Sequence, residues 1–146
     1  MKLFQIEEPE GGPTDPSAPG AAIGIDAAEA EAQVAFSVGG NAVVLVDREG
    51  FERALPVPAA AVKAEWQELL KAAKVRAERA LARPVTHAVL VLAEPPEANI
   101  VGGLHDAADE AGLALLRVVA RSELPSGSDP VLEAAVLAED SAPRTG

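Results

Sequence analysis

The sequence of 146 residues contains no cysteine, which excludes disulfides, cysteine-based zinc sites, cysteine-ligated iron–sulfur clusters and thiol catalysis within this chain. Aromatic residues make up only 3% of it, so packing has to rest on Val, Leu and Ile between elements that approach closely. No apolar run comes near the roughly 18 residues that would cross a bilayer. The N-terminus has a lone Lys2 and lacks the apolar core of a signal peptide. We therefore expect a cytoplasmic protein with a single domain.

Basic residues are also scarce, with 12 Lys and Arg against 23 Asp and Glu and a net charge of −11. Such a surface repels phosphate backbones and anionic lipids, so neither nucleic acid nor a membrane is expected as a partner. Solubility is the simplest interpretation of the acidic excess, and attraction of a basic protein partner is the alternative.

Flexible tails are predicted at residues 1–20 and 141–146, on either side of one ordered domain at residues 21–140. The first tail is rich in Pro, Gly, Ser and Glu, and it cannot bury enough apolar surface to offset the entropy of ordering it. Its short apolar cluster of Leu3, Phe4 and Ile6 could still dock on the domain or on a partner.

The ordered domain shows patterns typical of alternating strands and helices. A three-strand meander is predicted first, with a hairpin turn at Gly39-Gly40-Asn41, and a short additional strand could follow it. Because the later 85–93 strand is almost entirely apolar in its second half, it indicates a parallel sheet covered on both faces. The predicted strands are 21–26, 33–38, 42–46, the additional 51–55, 85–93 and 113–120, and the predicted helices are 60–81, 99–111 and 130–138. The fold class is therefore α/β, an antiparallel meander followed by right-handed β-α-β crossovers in one mixed sheet.

Several short segments resemble, in order, the nucleotide-binding domain of heat-shock-seventy chaperones. Gly24-Ile25-Asp26 is similar to the opening of that family's Gly-Ile-Asp-Leu-Gly-Thr-Thr motif, and Arg-Pro-Val-Thr-His-Ala-Val at 83–89 is similar to a later strand. Residues 111–119 are similar to its Ala-Gly-Leu…Leu-Arg-Ile-Ile stretch, and residues 3–9 resemble the branch that serves bacterial iron–sulfur-cluster assembly. The resemblance implies one actin-like, ribonuclease-H-like subdomain, truncated before the second lobe and the peptide-binding domain.

The residues that would bind phosphate in that family are replaced. Ala28 stands where the motif has glycine, and Glu29 and Ala30 stand where it has two threonines. Phosphate needs bare backbone amides and hydroxyls, whereas a carboxylate facing a triphosphate costs about 1–4 kcal/mol at contact. The family's catalytic lysine and second glycine-rich loop have no counterpart. The resemblance thus implies a degenerate phosphate loop at Gly24, Asp26, Ala28, Glu29 and Ala30, with no catalytic residue, no ATPase activity and no bound ATP or magnesium.

Two acidic residues remain as candidates for a residual role. Asp26, at a strand end, could hold a hydrated cation, as its counterpart in the family does. If residues 121–128 are an insertion, Asp129 matches the family's glutamate, whereas a direct alignment puts Arg121 there. Asp129 also suits a purely structural role as a helix N-cap. His87 and His105 lack the carboxylate cluster of a metal site, so no metal is expected.

The sequence therefore favours a non-enzymatic relative of a chaperone nucleotide-binding domain that acts by binding protein. The partner would be a full-length chaperone, its co-chaperone or a second copy of the chain, because separation from a second lobe exposes apolar surface. Two alternatives remain: a minimal ATP-binding actin-like protein with a rebuilt phosphate loop, and a decaying remnant without function.

Overall fold

The computed structural model describes residues 21–45, 55–58, 62–125, 127 and 129–141. The predicted N-terminal tail, residues 142–146 of the C-terminal tail and residues 51–54 of the additional strand lie outside the described residues. The strands are β1 (Ala21–Ala27), β2 (Gln33–Val38), β3 (Asn41–Leu45), β4 (Val85–Leu92) and β5 (Ala114–Ala120), and the helices are α1 (Lys63–Leu81), α2 (Ala98–Ala111) and α3 (Pro130–Ser141).

These five strands form one mixed sheet in the order β3-β2-β1-β4-β5. Neighbours are antiparallel from β3 to β1 and parallel from β1 to β5. The predicted meander followed by parallel crossovers is confirmed. Because β1, β4 and β5 run in the same direction, their carboxyl ends meet at one edge of the sheet.

The core lies on both faces of the sheet, as the apolar β4 sequence predicts. Ile23, Ile25 and Leu90 belong to the larger cluster, which α1 and α2 cover, whereas Val89 and Val91 belong to a smaller cluster under α3. Trp66 of α1 is only 8% exposed and belongs to the larger cluster.

Helix α1 begins later than predicted. Its first helical residue is Lys63, and Val62 before it has an extended backbone and an exposed side chain. Val62 thus lies before the helix, although the predicted helix 60–81 included it. Helix α2 includes the Gly102-Gly103 pair and ends at Ala111, as predicted, with Gly112 as its C-cap at a left-handed φ of 86°.

Helix α3 rests directly on the backbone of β1. A Cβ added to Gly24 would lie 2.3 Å from the Ala135 nitrogen and 2.6 Å from the Ala134 carbonyl carbon, so only glycine fits between strand and helix. Close approach of small residues explains how an alanine-rich helix fills this face.

The far end of α3 holds the β2–β3 hairpin. The Glu139 carboxylate accepts hydrogen bonds from Ser37 Oγ at 2.8 Å and from the Gly39 and Gly40 amides at 2.6 and 3.0 Å. Both glycines have positive φ, 61° and 84°, as a type I′ turn requires, so the predicted hairpin is confirmed. The helix extends to Ser141, three residues beyond the predicted end.

Candidate functional site

A cleft of about 680 Å³ lies at the edge where the parallel strands end. The end of β1, the turn after β5 and the start of α3 bring its charged side chains together, and residues of β2, β3 and α1 complete it. Ligands of open α/β sheets bind outside the carboxyl ends of strands, which makes this cleft the candidate site. Its lining residues are Asp26, Glu29, Ala30, Glu31, Ala32, Gln33, Val44, Leu45, Leu55, Arg76, Arg121, Asp129 and Pro130.

Asp26 is the buried acid of this cleft, 5% exposed near the end of β1. Its Oδ1 accepts the Ala28 backbone N–H at 2.9 Å, and its Oδ2 lies 4.0 Å from Arg121 Nη2. Burial raises the pKa of Asp26 above its ordinary value of 3.8, although the Ala28 N–H and Arg121 both oppose the change. The nearby carboxylates of Glu29 and Asp129 raise this pKa further.

Arg121, in the turn that follows β5, forms ion pairs with two acidic residues of the cleft. Its Nη2 lies 2.7 Å from Glu29 Oε2, and this hydrogen bond raises the pKa of the guanidinium, with the charges of Asp26 and Asp129 adding to the effect. The guanidinium therefore remains charged and faces two carboxylates. Sequence reasoning considered Arg121 only as an alternative match for a family glutamate and did not anticipate its pairing with Glu29.

Asp129 has the structural role that its sequence context predicts. Its Oδ1 accepts the Val131 N–H at 3.2 Å, and its carbonyl accepts the Glu133 N–H at 3.1 Å, so it caps the first turn of α3. Asp129 also lines the cleft, as Asp26 does. Its carboxylate is therefore engaged by the helix, while its charge acts on Asp26.

The loop after β1 is bound on its outer side to the chain that precedes α1. The Ala30 carbonyl accepts the Val57 N–H at 2.9 Å, and the Ala32 N–H donates to the Leu55 carbonyl at 2.8 Å. An isolated β-bridge joins Glu31 and Pro56 in the same segment. The loop amide at Ala28 is already committed to Asp26. The loop is thus held by protein groups at several points along its length.

The predicted phosphate-loop residues do not all meet in the cleft. Asp26, Glu29 and Ala30 line it together with Asp129. Gly24 instead lies inside β1 beneath α3, and Ala28 packs its methyl group against the small cluster on the α3 side of the sheet. The backbone freedom of Gly24 therefore serves packing against the helix.

Within the described residues, no group of three or more potential ligands is arranged to hold a metal ion. His87 lies in β4, where its Nδ1 is 2.7 Å from Thr86 Oγ1 and burial lowers its pKa, and His105 lies on α2. In the same part of the chain, no helix is both long and apolar enough to cross a membrane.

Comparison with known proteins adds no relative: no family model matches the chain, and no curated protein does. The resemblance to heat-shock-seventy chaperones therefore rests on the short motifs of the sequence.

Proposed function

We propose that this protein is a non-enzymatic relative of the heat-shock-seventy nucleotide-binding subdomain, of actin-like, ribonuclease-H-like type, and that it acts by binding protein near chaperone function or iron–sulfur-cluster assembly. The sheet supports the fold assignment, because a three-strand meander followed by two parallel crossovers is the arrangement that the resemblance implies. The ion pairs in the cleft support the proposed absence of ATPase activity.

The observation that carries the proposal is the ion-pair cluster of Glu29, Arg121 and Asp26. In the resembled family the phosphates lie beside this loop, and transfer of a phosphoryl group depends on positioned donors and cations that neutralise its charge. Here Glu29 already neutralises the Arg121 guanidinium at 2.7 Å, and the Ala28 amide already donates to Asp26. A triphosphate would have to displace the Glu29 carboxylate before it met the Arg121 guanidinium.

One feature of the cleft favours the alternative of a minimal nucleotide-binding protein. Its volume of about 680 Å³ falls within the range of small-molecule sites, about 300–1,000 Å³, and both Arg76 and Arg121 line it. Rotation of the exposed Glu29 side chain away from Arg121 would free one guanidinium for a phosphate. The two proposed functions therefore differ in whether an anion can displace the Glu29 carboxylate from Arg121.

Calorimetric titration with Mg-ATP separates these two functions. We expect the wild-type chain to show no binding tighter than millimolar, and Glu29→Gln to gain weak anion binding because Arg121 loses its closest partner. Glu31→Gln is the matched control, since it removes one carboxylate from the same cleft without affecting that pair. Micromolar binding by the wild-type chain would overturn the proposal and establish the nucleotide-binding alternative.

The protein-binding role needs a separate measurement with defined partners. The full chain is immobilised and exposed in turn to a complete heat-shock-seventy chaperone, to its co-chaperone and to the chain itself in solution. Saturable association with one of the three supports the role. If none of them binds, the role is refuted and the remnant hypothesis is favoured.

A further inference from the structure

The β2–β3 hairpin is neutral in an otherwise acidic chain. Residues 33–45 contain no Asp, Glu, Lys, Arg or His, whereas the whole chain carries a net charge of −11. Val38, Val43 and Val44 of this hairpin are 62%, 57% and 38% exposed. Val38 and Val43 lie on one face of the hairpin and Val44 on the other, so apolar side chains are exposed on both faces beside the edge.

Within the described residues, no strand pairs with the outer edge of β3. Strand β3 is the last in the sheet order, and none of the described residues forms a strand beyond it. The two-residue turn makes Val38 and Asn41 a hydrogen-bonded pair, and alternation along the ladder then turns the N–H and C=O of Ala42 and Val44 outward. Natural edges carry lysine, proline or a bulge against unwanted pairing, and β3 has none of these.

The hairpin is also held in place before any partner arrives. Glu139 accepts hydrogen bonds from three groups of the hairpin. Ala42 packs against a third buried cluster, formed by Ala35, Val131 and Ala135. An edge that is fixed in its extended conformation loses little entropy when another strand pairs with it.

We propose that β3 pairs antiparallel with β3 of a second copy of this chain, across a two-fold axis at Val43. Ala42 then hydrogen-bonds with Val44 of the partner subunit, and Val44 with Ala42 of the partner subunit. The two Val43 side chains meet at the axis as a non-hydrogen-bonded pair, with Cα atoms about 4.5 Å apart. The two sheets become one continuous sheet.

A second copy of the chain suits this edge for two reasons. Identical strand edges are self-complementary when they run antiparallel, which is the geometry of a two-fold dimer. The neutral hairpin also lets two strongly acidic molecules meet where neither strand carries a carboxylate, so their mutual repulsion is smallest there. The inference names a partner for the proposed protein-binding function and rests on it.

Because the chain has no cysteine, single-cysteine variants test the two-fold axis directly. Val43→Cys should form a disulfide-linked dimer under mild oxidation, since the axial Cα separation fits a disulfide. Val75→Cys is the matched control, an introduced thiol at an exposed valine on α1, and it should remain largely unlinked.

Sedimentation velocity tests the pairing without a covalent cross-link. The wild-type chain should dimerise reversibly, and Val44→Pro should weaken the dimer about tenfold or more, because it removes an outward N–H that the β2 ladder does not use. Val75→Lys should leave dimerisation unchanged.

A wild-type chain that sediments as a monomer overturns the inference, and so does a dimer that survives Val44→Pro while Val43→Cys fails to cross-link. If Val44→Pro fails to fold, the cross-link result alone decides. Since these variants leave Glu29 and Arg121 unchanged, failure of the dimer is distinguishable from failure of the nucleotide prediction, which the Mg-ATP titration measures separately.

Discussion

Replacing Gly24 by alanine should destabilise the fold by about 2 kcal/mol or more, because α3 lies in the space that a methyl group needs. The new Cβ would sit 2.3 Å from the Ala135 nitrogen, 2.6 Å from the Ala134 carbonyl carbon and 2.8 Å from the Ala134 Cβ. Two of these atoms belong to the helix backbone, so the helix as a whole has to move by about 1 Å to restore normal contact. Overpacking of this kind costs about 1–3 kcal/mol, and we expect the upper end, offset by about 0.5–1 kcal/mol from removing a glycine inside a strand.

Urea denaturation followed by circular dichroism measures this loss as a lower midpoint with an unchanged slope. The control is Gly103→Ala in α2, where a new Cβ meets nothing within 4 Å and helix propensity should add about 0.5–1 kcal/mol of stability. The same chemical change is therefore expected to have opposite signs at the two sites. A Gly24→Ala variant as stable as the wild type would refute the close packing of α3 on β1.

Three further predictions concern charge and caps. The folded state holds the Asp26 proton more tightly than the unfolded chain, so the stability contributed by Asp26 falls as pH rises from 3.8 through its raised folded-state pKa. Asp26→Asn should remove that slope and raise the melting temperature near neutral pH, and an unchanged pH profile would contradict the desolvation of Asp26. Glu139→Ala should cost about 1–2 kcal/mol in urea denaturation because the hairpin turn loses its acceptor, whereas Asp140→Ala, at the exposed neighbouring residue, should stay within about 0.5 kcal/mol. Gly112→Ala should cost about 1 kcal/mol by the same assay, since an L-residue is strained at a φ of 86°, and equal stability would argue against the left-handed cap.

The fold follows from the sequence where periodicity and turn chemistry agree. The unbroken apolar run of β4 predicts a strand buried on both faces, and the Gly-Gly-Asn turn predicts the hairpin, because only a few residue types tolerate positive φ. Element ends are less predictable. Val62 falls within the predicted helix and yet lies before its first residue, and Glu139 in the last turn of α3 contacts residues about 100 positions away.

The candidate site is also predictable only in part, because some of its contacts join residues that are far apart in the sequence. Asp26 stands at the end of an apolar strand, and Asp129 precedes a proline at a helix start, so local sequence identifies both. Arg121 does not belong to a local pattern. Its guanidinium meets Glu29 because two strands separated by β4 end at the same edge of the sheet, a relation between positions 92 residues apart.

Helix α3 contacts both surfaces for which we propose a function, the charged cleft and the β2–β3 hairpin. Its first turn, capped by Asp129, lies at the charged cleft, and its last turn holds the hairpin through Glu139. Between them, the contact with Gly24 fixes the distance of the helix from the sheet. A displacement of α3 should therefore disturb the Asp26 environment and the β3 edge together, whereas Glu139→Ala should loosen only the edge. If Glu139→Ala weakens dimerisation while the pH dependence of Asp26 is unchanged, the hairpin turn and the Asp26 end of the cleft respond independently, although one helix positions both and Val44 of β3 also lines the cleft.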